Sequence, residues 1–269
     1  MIHFYCDKSR KNILQKKRKV RPIVVLLILI WVLLLVLSLS FLSILASLFA
    51  SYPQSIPSLS WAGYTIEKNS NPQFEVIAVN ASWIVPKVNA SAGNGYSATW
   101  IGIGGELEKS LIQVGTEQDA INGQVTYAAW YELLPSFAVQ LTGIAVSPGD
   151  TIIASINLVN SDTNQWSIQI SDATTRQAFS QNVVYNSTRS SGEWIVERPT
   201  VNKKIGALAD FGNITFTDCH VNVDNATGSI ANFSFYKIQM ANTQYAKLTS
   251  VSALTAGGSS FTVSYIASK

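Results

Sequence analysis

The chain has 269 residues and a formal net charge of +3, but this charge is unevenly distributed. Residues 1–21 carry eight Lys or Arg and one acid, Asp7, whereas the remainder carries 11 basic and 15 acidic residues, a net of −4. The basic residues therefore form a tail and do not form a patch on a folded domain, so we exclude nucleic acid as the partner.

Residues 22–50 are almost wholly apolar and contain no charged residue. Because ~20 helical residues cross a bilayer core of ~30 Å, they predict an N-terminal transmembrane helix. The alternative is a cleaved signal peptide, but its apolar core is only ~7–15 residues long, so we favour a signal-anchor. The positive-inside rule places residues 1–21 in the cytoplasm and the rest outside. Residues 51–60 are predicted to be a linker, and residues 61–269 an extracellular domain.

The outer domain has features of an exported protein. Cys6 lies on the inner side of the predicted membrane and Cys219 on the outer side, so no intrachain disulfide is expected. Six Asn-x-Ser/Thr sequons favour a glycosylated surface. They begin at Asn80, Asn89, Asn186, Asn213, Asn225 and Asn232.

Short runs of alternating apolar and polar residues, separated by turn residues, occupy the domain. Asn122-Gly123 lies between two of them and is a strong signal for a two-residue β-hairpin. The pattern predicts an all-β fold, a two-sheet antiparallel β-sandwich that follows the transmembrane helix. Strands are expected within 75–85, 96–104, 110–117, 124–134, 151–159, 166–170, 181–186, 192–197, 213–218 and 259–267.

The predicted strand within Ser191–Val201 places two carboxylates on one face. Glu193, Ile195 and Glu197 point one way, because side chains alternate along a strand. Such a face either lines a cleft or meets water as an ordinary amphipathic surface, and this stretch alone leaves both interpretations open.

The chain lacks the residues that several classes of enzyme need. The only histidines are His3, in the basic tail, and His220, which follows Cys219 directly and would face the opposite side of a strand. No cluster has the spacing of a zinc site. The glycine-rich run 101–105 lacks the dinucleotide fingerprint and its helix. We therefore predict no metal, no cofactor and no nucleotide.

Five segments rich in Trp, Tyr and polar residues occur in an order that resembles the glutamic peptidases, or eqolisins (peptidase family G1). The resemblance runs from WAGY at Trp61 to FTD at Asp218 and implies a lectin-like sandwich of two curved sheets. It also implies cleavage of polypeptides at acid pH by a glutamine–glutamate dyad in a groove. The segments are SATWIGIGG (97–105), SLIQVGTE (110–117), YAAWYELLP (127–135), SGEWIVERPTV (191–201) and LADFGNITFTD (208–218).

The resemblance assigns roles to individual residues. The family's Leu-Gln-x-Gly strand matches residues 111–115 with Ile in the Leu place, which implies that Gln113 is catalytic. The family's glutamate closes a Glu-aromatic-Ile-aliphatic-Glu run, which implies Glu197. The implied substrate-binding or groove-supporting residues are Trp61, Trp100, Trp130 and Glu132.

The chemistry of this dyad is reasonable by itself. A glutamate with a near-normal pKa can take a proton from water in acid and pass it to the leaving amine. The Gln113 amide can stabilise the oxyanion. Each residue also has a simpler explanation: Gln113 can be a satisfied polar strand residue, and Glu132 a structural hydrogen-bond acceptor.

The chain departs from the family at several positions. Ala128 and Gly104 replace family aspartates, and 198–200 (Arg-Pro-Thr) replaces acidic residues. These changes predict a less acidic cleft with a different pH optimum and different subsites.

The sequence thus predicts a monomeric, membrane-anchored, acid-acting endopeptidase with polypeptide substrates. The alternative is an inactive extracellular module that binds carbohydrate or protein, since tryptophans in a groove also stack on sugars. A third possibility is a structural component of a surface layer. It would need edges for self-association, and none can be identified in the sequence.

Overall fold

The computed structural model describes residues 22–50, 55–67, 74–105 and 109–269. The chain divides into two compact units, Met1–Tyr52 and Pro53–Lys269. The basic tail, residues 1–21, lies outside the described residues.

The first unit contains the helix α1 (Pro22–Ala50), 29 residues long. Its described apolar side chains, such as Trp31 and Leu35, are exposed. The structure describes only part of the side chains of α1, and among the described residues no helix is identified as long and apolar enough to cross a membrane. The transmembrane role of residues 22–50 therefore stays a prediction.

The second unit is a β-sandwich, which confirms the all-β, two-sheet prediction. Its strands are β1 (Ser55–Ser58), β2 (Trp61–Glu67), β3 (Val76–Ile84), β4 (Gly95–Ile103), β5 (Ile112–Ile121), β6 (Gln124–Leu133), β7 (Val139–Gln140), β8 (Thr151–Asn160), β9 (Gln165–Asp172), β10 (Gln177–Val184), β11 (Ser191–Glu197), β12 (Thr200–Val201), β13 (Lys204–Ile205), β14 (Asn213–Val223), β15 (Ala226–Ser229), β16 (Phe235–Met240), β17 (Thr249–Val251) and β18 (Phe261–Tyr265). Two 3-10 turns, Ala90–Ala92 and Ile230–Asn232, complete the described elements.

Two eight-stranded sheets pack face to face. Sheet A has the order β1-β16-β2-β11-β4-β5-β6-β7. Sheet B has the order β10-β9-β8-β3-β14-β18-β17, with β15 paired to β14, and β12 and β13 form a separate ribbon. Every run of residues predicted to be a strand overlaps an observed strand.

The predicted linker is partly structured. Ser55–Ser58 forms β1 and pairs with β16, so this part of the linker belongs to sheet A. The pair is parallel, which corrects the expectation of purely antiparallel sheets. A short edge strand containing Pro57 has too little alternation to be recognised from its sequence.

The hairpin predicted at Asn122-Gly123 is confirmed. Both residues have positive φ, 51° and 80°, and Ile121 pairs directly with Gln124. These values are typical of a type I′ turn, whose twist matches that of the flanking strands.

Alternation divides sheet A into an inner and an outer face. Trp194 and Val196 of β11 point inward and pack in the main core with Trp83 and Trp166 of sheet B. A second apolar cluster covers the outer face of sheet A, where a groove lies. Its buried members are Ala98, Trp100, Leu111, Trp130, Ile195 and Ile238.

Candidate active site

Strand β11 brings one carboxylate into the groove on the outer face of sheet A. Glu193 and Glu197 share that face, as the alternation predicted. Glu193 has no exposed surface, whereas Glu197 is partly exposed and lines the groove, whose volume is about 370 Å³. Only Glu197 of the two is therefore accessible to a ligand in the groove.

Strand β5 supplies Gln113, which pairs with Gly102 on one side and with Glu132 on the other. Its Nε2 donates a hydrogen bond to Oε2 of Glu132 over 2.6 Å. Gln113 is 4% exposed, and its Oε1 accepts no hydrogen bond within the described part of the chain. An unsatisfied buried polar atom in a groove is a place where a ligand can bond.

Two tryptophans hold the carboxylate of Glu197. Trp61 pairs with Glu197 across β2 and β11, and its ring packs edge-on against Trp100 with centroids 5.1 Å apart. Nε1 of Trp100 donates to Oε2 of Glu197 over 2.9 Å, and Trp61 also bonds this carboxylate. Trp100 is fully buried, so it supports the groove from behind, while Trp61 lines it.

Trp130 of β6 lines the opposite part of the groove. It is 7% exposed, and its Nε1–H has no acceptor among the residues that the structure describes. Gly115 separates Trp130 from Trp100 across β5. A Cβ at Gly115 would lie 2.5 Å from Cβ of Trp100, so only glycine permits this packing.

The carboxyls in the groove have raised pKa values. Burial raises the pKa of Glu197 to about 7, the hydrogen bonds from Trp100 and Trp61 oppose this, and the charge of Glu132 adds to it. Burial also raises the pKa of Glu132, against hydrogen bonds from Gln113 and the backbone of Ala138. The near-normal pKa expected for the catalytic glutamate is therefore wrong, because burial removes its carboxyl from water.

Sequence reasoning missed two acidic residues on the same face of β5. Glu117 lines the groove, and Asp119 follows two residues later. Burial and the charge of Glu117 raise the pKa of Asp119 to about 7, and burial raises that of Glu117. The signal was available, because Gln113, Glu117 and Asp119 are separated by even numbers of residues.

The segment that departs from the family forms one wall of the groove. Pro199 and Thr200 line it, whereas Arg198 is buried and donates from Nη2 to the carbonyl oxygen of Leu59 over 2.7 Å. The remaining lining residues are Ala98, Leu111, Leu134 and Ala138. Across the described ranges, no group of three or more His, Cys, Asp or Glu residues is placed to hold a metal ion.

Comparisons with known proteins identify the family. The model of the Peptidase A4 family matches residues 59–265. Aspergillopepsin-2 of Aspergillus niger is 28% identical over 233 residues, which cover 78% of this chain and 78% of that protein. Scytalidopepsin B of Scytalidium lignicola is 30% identical over 170 residues, 58% of this chain and 62% of its own.

Solved structures show the same fold. A crystal structure of scytalido-glutamic peptidase with a peptide-based transition state analog has a TM-score of 0.64 at 23% identity, covering 78% of this chain and 99% of that chain. Aspergilloglutamic peptidase from Aspergillus niger has a TM-score of 0.57 at 27% identity, and the match covers 64% of this chain and 99% of that chain. The family match spans most of the chain, and the chain therefore belongs to the Peptidase A4 family, the glutamic peptidases or eqolisins, which hydrolyse peptide bonds.

Proposed function

We propose that this chain is an acid-acting endopeptidase in which Glu197 moves protons and Gln113 stabilises the oxyanion. One observation carries the proposal: a single groove is lined by both side chains, and its lining residues Gln113 and Trp130 each carry a buried polar atom with no bonding partner in the described part of the chain. Buried polar groups without partners are costly, so they indicate a site prepared for a polar ligand such as a peptide backbone.

The raised pKa of Glu197, about 7, means that this carboxyl is protonated in acid. Glu197 then begins as the acid and gives its proton to the scissile carbonyl oxygen. As a carboxylate it takes a proton from the water whose oxygen bonds to the carbonyl carbon. It next protonates the leaving nitrogen, the C–N bond breaks, and a hydroxyl of the tetrahedral intermediate returns a proton to Glu197.

The amide of Gln113 has two N–H groups. One of them donates to Glu132, which fixes the orientation of the amide. The other is left to donate to the oxygen of the scissile carbonyl, on which negative charge grows as water adds and before transfer of the Glu197 proton is complete. Nε1–H of Trp130 donates to a neighbouring carbonyl of the bound polypeptide. Glu132 is thus a positioning residue that acts through Gln113.

Digestion of a denatured protein substrate between about pH 2 and 9 tests the proposal. Wild type is compared with Glu197→Gln and Gln113→Ala, and circular dichroism verifies that each variant folds. Glu75→Gln is the matched control, because Glu75 pairs with Arg189 and does not line the groove. We expect acid-dependent cleavage that resists pepstatin-type inhibitors and chelators, persists in the control and is lost in both groove variants.

Absence of cleavage by folded wild type at every pH would contradict the proposal. The alternative, a groove that only binds carbohydrate or protein, would then be preferred. Cleavage that survives in both groove variants would place the catalytic groups elsewhere.

We also propose that residues 22–50 anchor a monomeric peptidase in a membrane, with residues 1–21 inside and the domain outside. The apolar exposed side chains of α1 support this, Trp31 being 73% exposed. The protein should resist extraction from membranes at alkaline pH, and protease added to intact cells should digest the domain. Release into the soluble fraction without detergent would contradict the anchor.

A further inference from the structure

Strand β10 forms the longest open edge of the two described sheets. It has eight residues, QAFSQNVV, whereas the other edge strands β1, β7, β15 and β17 have two to four. Its sequence contains no charged residue and no proline, the residues with which proteins commonly protect an edge from strand addition. Another extended chain can therefore pair with the domain at β10.

The backbone groups of β10 point alternately to β9 and to the open edge. The N–H of Tyr185, which follows β10, donates to the carbonyl oxygen of Asn164 over 3.0 Å. Because alternate residues of an antiparallel strand bond the same neighbour, the odd-numbered residues of β10 bond β9 and the even-numbered ones face the edge. The even-numbered residues are Ala178, Ser180, Asn182 and Val184. All four are exposed, and within the described ranges no hydrogen bond is identified for their backbone groups at the edge.

A cavity of about 300 Å³ lies beside this edge. The rings of Tyr131 and Phe179 stack with their centroids 5.7 Å apart and form part of its wall. Val139 and Ile144 add apolar side chains, and none of its lining residues is charged. Phe179 also packs against the main core, so the cavity lies on the inner side of sheet B. A strand added to β10 would direct every second side chain to that side, and the cavity can take an apolar one.

The cavity and the catalytic groove are lined by consecutive residues of the chain. Ala138 lines the groove, and Val139 lines the cavity. In the same way Trp130 lines the groove and Tyr131 lines the cavity, because neighbouring residues of β6 point to opposite faces. A long polypeptide that passes round the two-residue strand β7 can therefore contact both sites.

We infer that β10 and this cavity form a second binding site for the polypeptide substrate, which adds to sheet B as an extended strand. The inference rests on the proposed peptidase function and names its substrate class: long unfolded chains with uncharged segments that carry apolar side chains. A second copy of this chain does not fill the site. Phe179 and Val183 of its own β10 already pack against its own core, so they cannot enter the cavity.

Two substitutions disturb the edge and the cavity separately. Ser180→Pro removes an N–H that faces the edge and keeps the bonds to β9, because an edge strand tolerates proline at such a position. Ser180→Ala is its control, since it also loses the hydroxyl but keeps the N–H. Val139→Lys places a charge at the cavity. Val159→Lys is the matched control, because Val159 is also an exposed strand valine but does not line the cavity.

The KM of the full-length protein in detergent is measured for a reduced, alkylated protein and for a short peptide that spans only the groove. We expect Ser180→Pro and Val139→Lys to raise KM for the protein substrate about tenfold, because strand pairing or the apolar contact is lost. KM for the short peptide should not change, and both controls should match wild type. An unchanged KM for the protein substrate, or an equal rise for both substrates, would overturn the inference.

A binding measurement distinguishes failure of this inference from failure of the peptidase proposal. Fluorescence anisotropy of the labelled, reduced and alkylated protein measures binding to full-length Glu197→Gln, with and without the substitutions at Ser180. If wild type cleaves neither substrate, the peptidase proposal fails, but weaker binding with Ser180→Pro than with Ser180→Ala would still support the second site. Equal binding would overturn it. A wild-type dimer that dissociates in Ser180→Pro and binds no labelled protein would also overturn it, in favour of pairing between two copies of this chain.

Discussion

At the scale of single residues, the hydrogen bond from Trp100 to Glu197 controls the ionisation of the proposed catalytic carboxyl. This bond, 2.9 Å long, favours the ionised form and so lowers the pKa that burial raises. Trp100→Phe removes the donor. Since a hydrogen bond to a charged group contributes about 1.5–3 kcal/mol, the pKa of Glu197 should rise by about one to two pH units.

Titration of the glutamate carboxyls by carbon-13 NMR measures this change. Trp130→Phe is the control, because Nε1 of Trp130 bonds no described residue and its loss should leave the pKa of Glu197 unaltered. An unchanged or lower pKa in Trp100→Phe would show that the bond does not favour the carboxylate.

Two substitutions distinguish the effect of the Glu132 charge from the effect of its hydrogen bond to Gln113. Glu132→Gln keeps an oxygen that accepts from Gln113 but removes the charge that raises the pKa of Glu197. The descending limb of the pH–rate profile should therefore move to lower pH, with little change in kcat. Glu132→Ala also releases Gln113, and kcat should fall by about tenfold or more, since a charge-assisted bond is lost. Equal losses of kcat in both variants would contradict the positioning role.

At the scale of elements, Gly115 of β5 is the position on which the floor of the groove depends. A Cβ there would lie 2.3 Å from the carbonyl oxygen of Thr99 and 2.5 Å from Cβ of Trp100. Gly115→Ala should lower the free energy of unfolding by about 2 kcal/mol or more, because overpacking displaces the strand. The matched change Gly143→Ala, where a Cβ meets no atom within 4 Å, should stay within about 0.5 kcal/mol. Urea denaturation of both variants measures the difference.

Much of sheet A and part of the site could be predicted from the sequence. Alternation predicted the outward face of β11 with Glu197, and the resemblance supplied Gln113. The two-residue turn at Asn122-Gly123 fixes the register of β5 and β6, so it already implied the pair of Gln113 and Glu132. That pairing could have been predicted and was missed.

The raised pKa of Glu197 could not be predicted in this way. It results from burial of the carboxyl among strands that are distant in sequence, such as β2, which pairs with β11 across more than a hundred residues of chain. No local pattern specifies a pairing between such distant strands. The edge strands β1 and β7 and the inner strand β16 were also missed, because they are short or interrupted by Pro or Lys.

At the scale of the whole molecule, the buried carboxyls should make the domain more stable in mild acid than at neutral pH. The pKa values of Glu197 and Asp119 are raised to about 7, above ordinary values of 4.5 and 3.8. Between the ordinary and the raised values the folded state binds more protons than the unfolded state. The free energy of unfolding therefore falls as pH rises through this window.

Asp172 changes the free energy of unfolding in the opposite direction, and it does so at lower pH. Burial alone would raise its pKa, but hydrogen bonds from Thr175 and Thr174 lower it below the ordinary value of 3.8. Its contribution is lost as pH falls through the lowered pKa. Thermal unfolding of residues 53–269 should therefore give a higher Tm near pH 4 than near pH 7. The double variant Glu197→Gln/Asp119→Asn should reduce this difference, and a higher Tm near pH 7 for wild type would contradict the account.

The most direct test of the central claim is the pH dependence of kcat/KM for a short peptide. If protonated Glu197 begins the reaction, kcat/KM of wild type should fall about tenfold for each pH unit above about 7. Glu197→Gln should lose about 10²–10⁴-fold at every pH, and Gln113→Ala about 10²–10³-fold with the same descending limb. A Glu197→Gln variant that keeps the wild-type rate and the same descending limb would show that another group carries the proton.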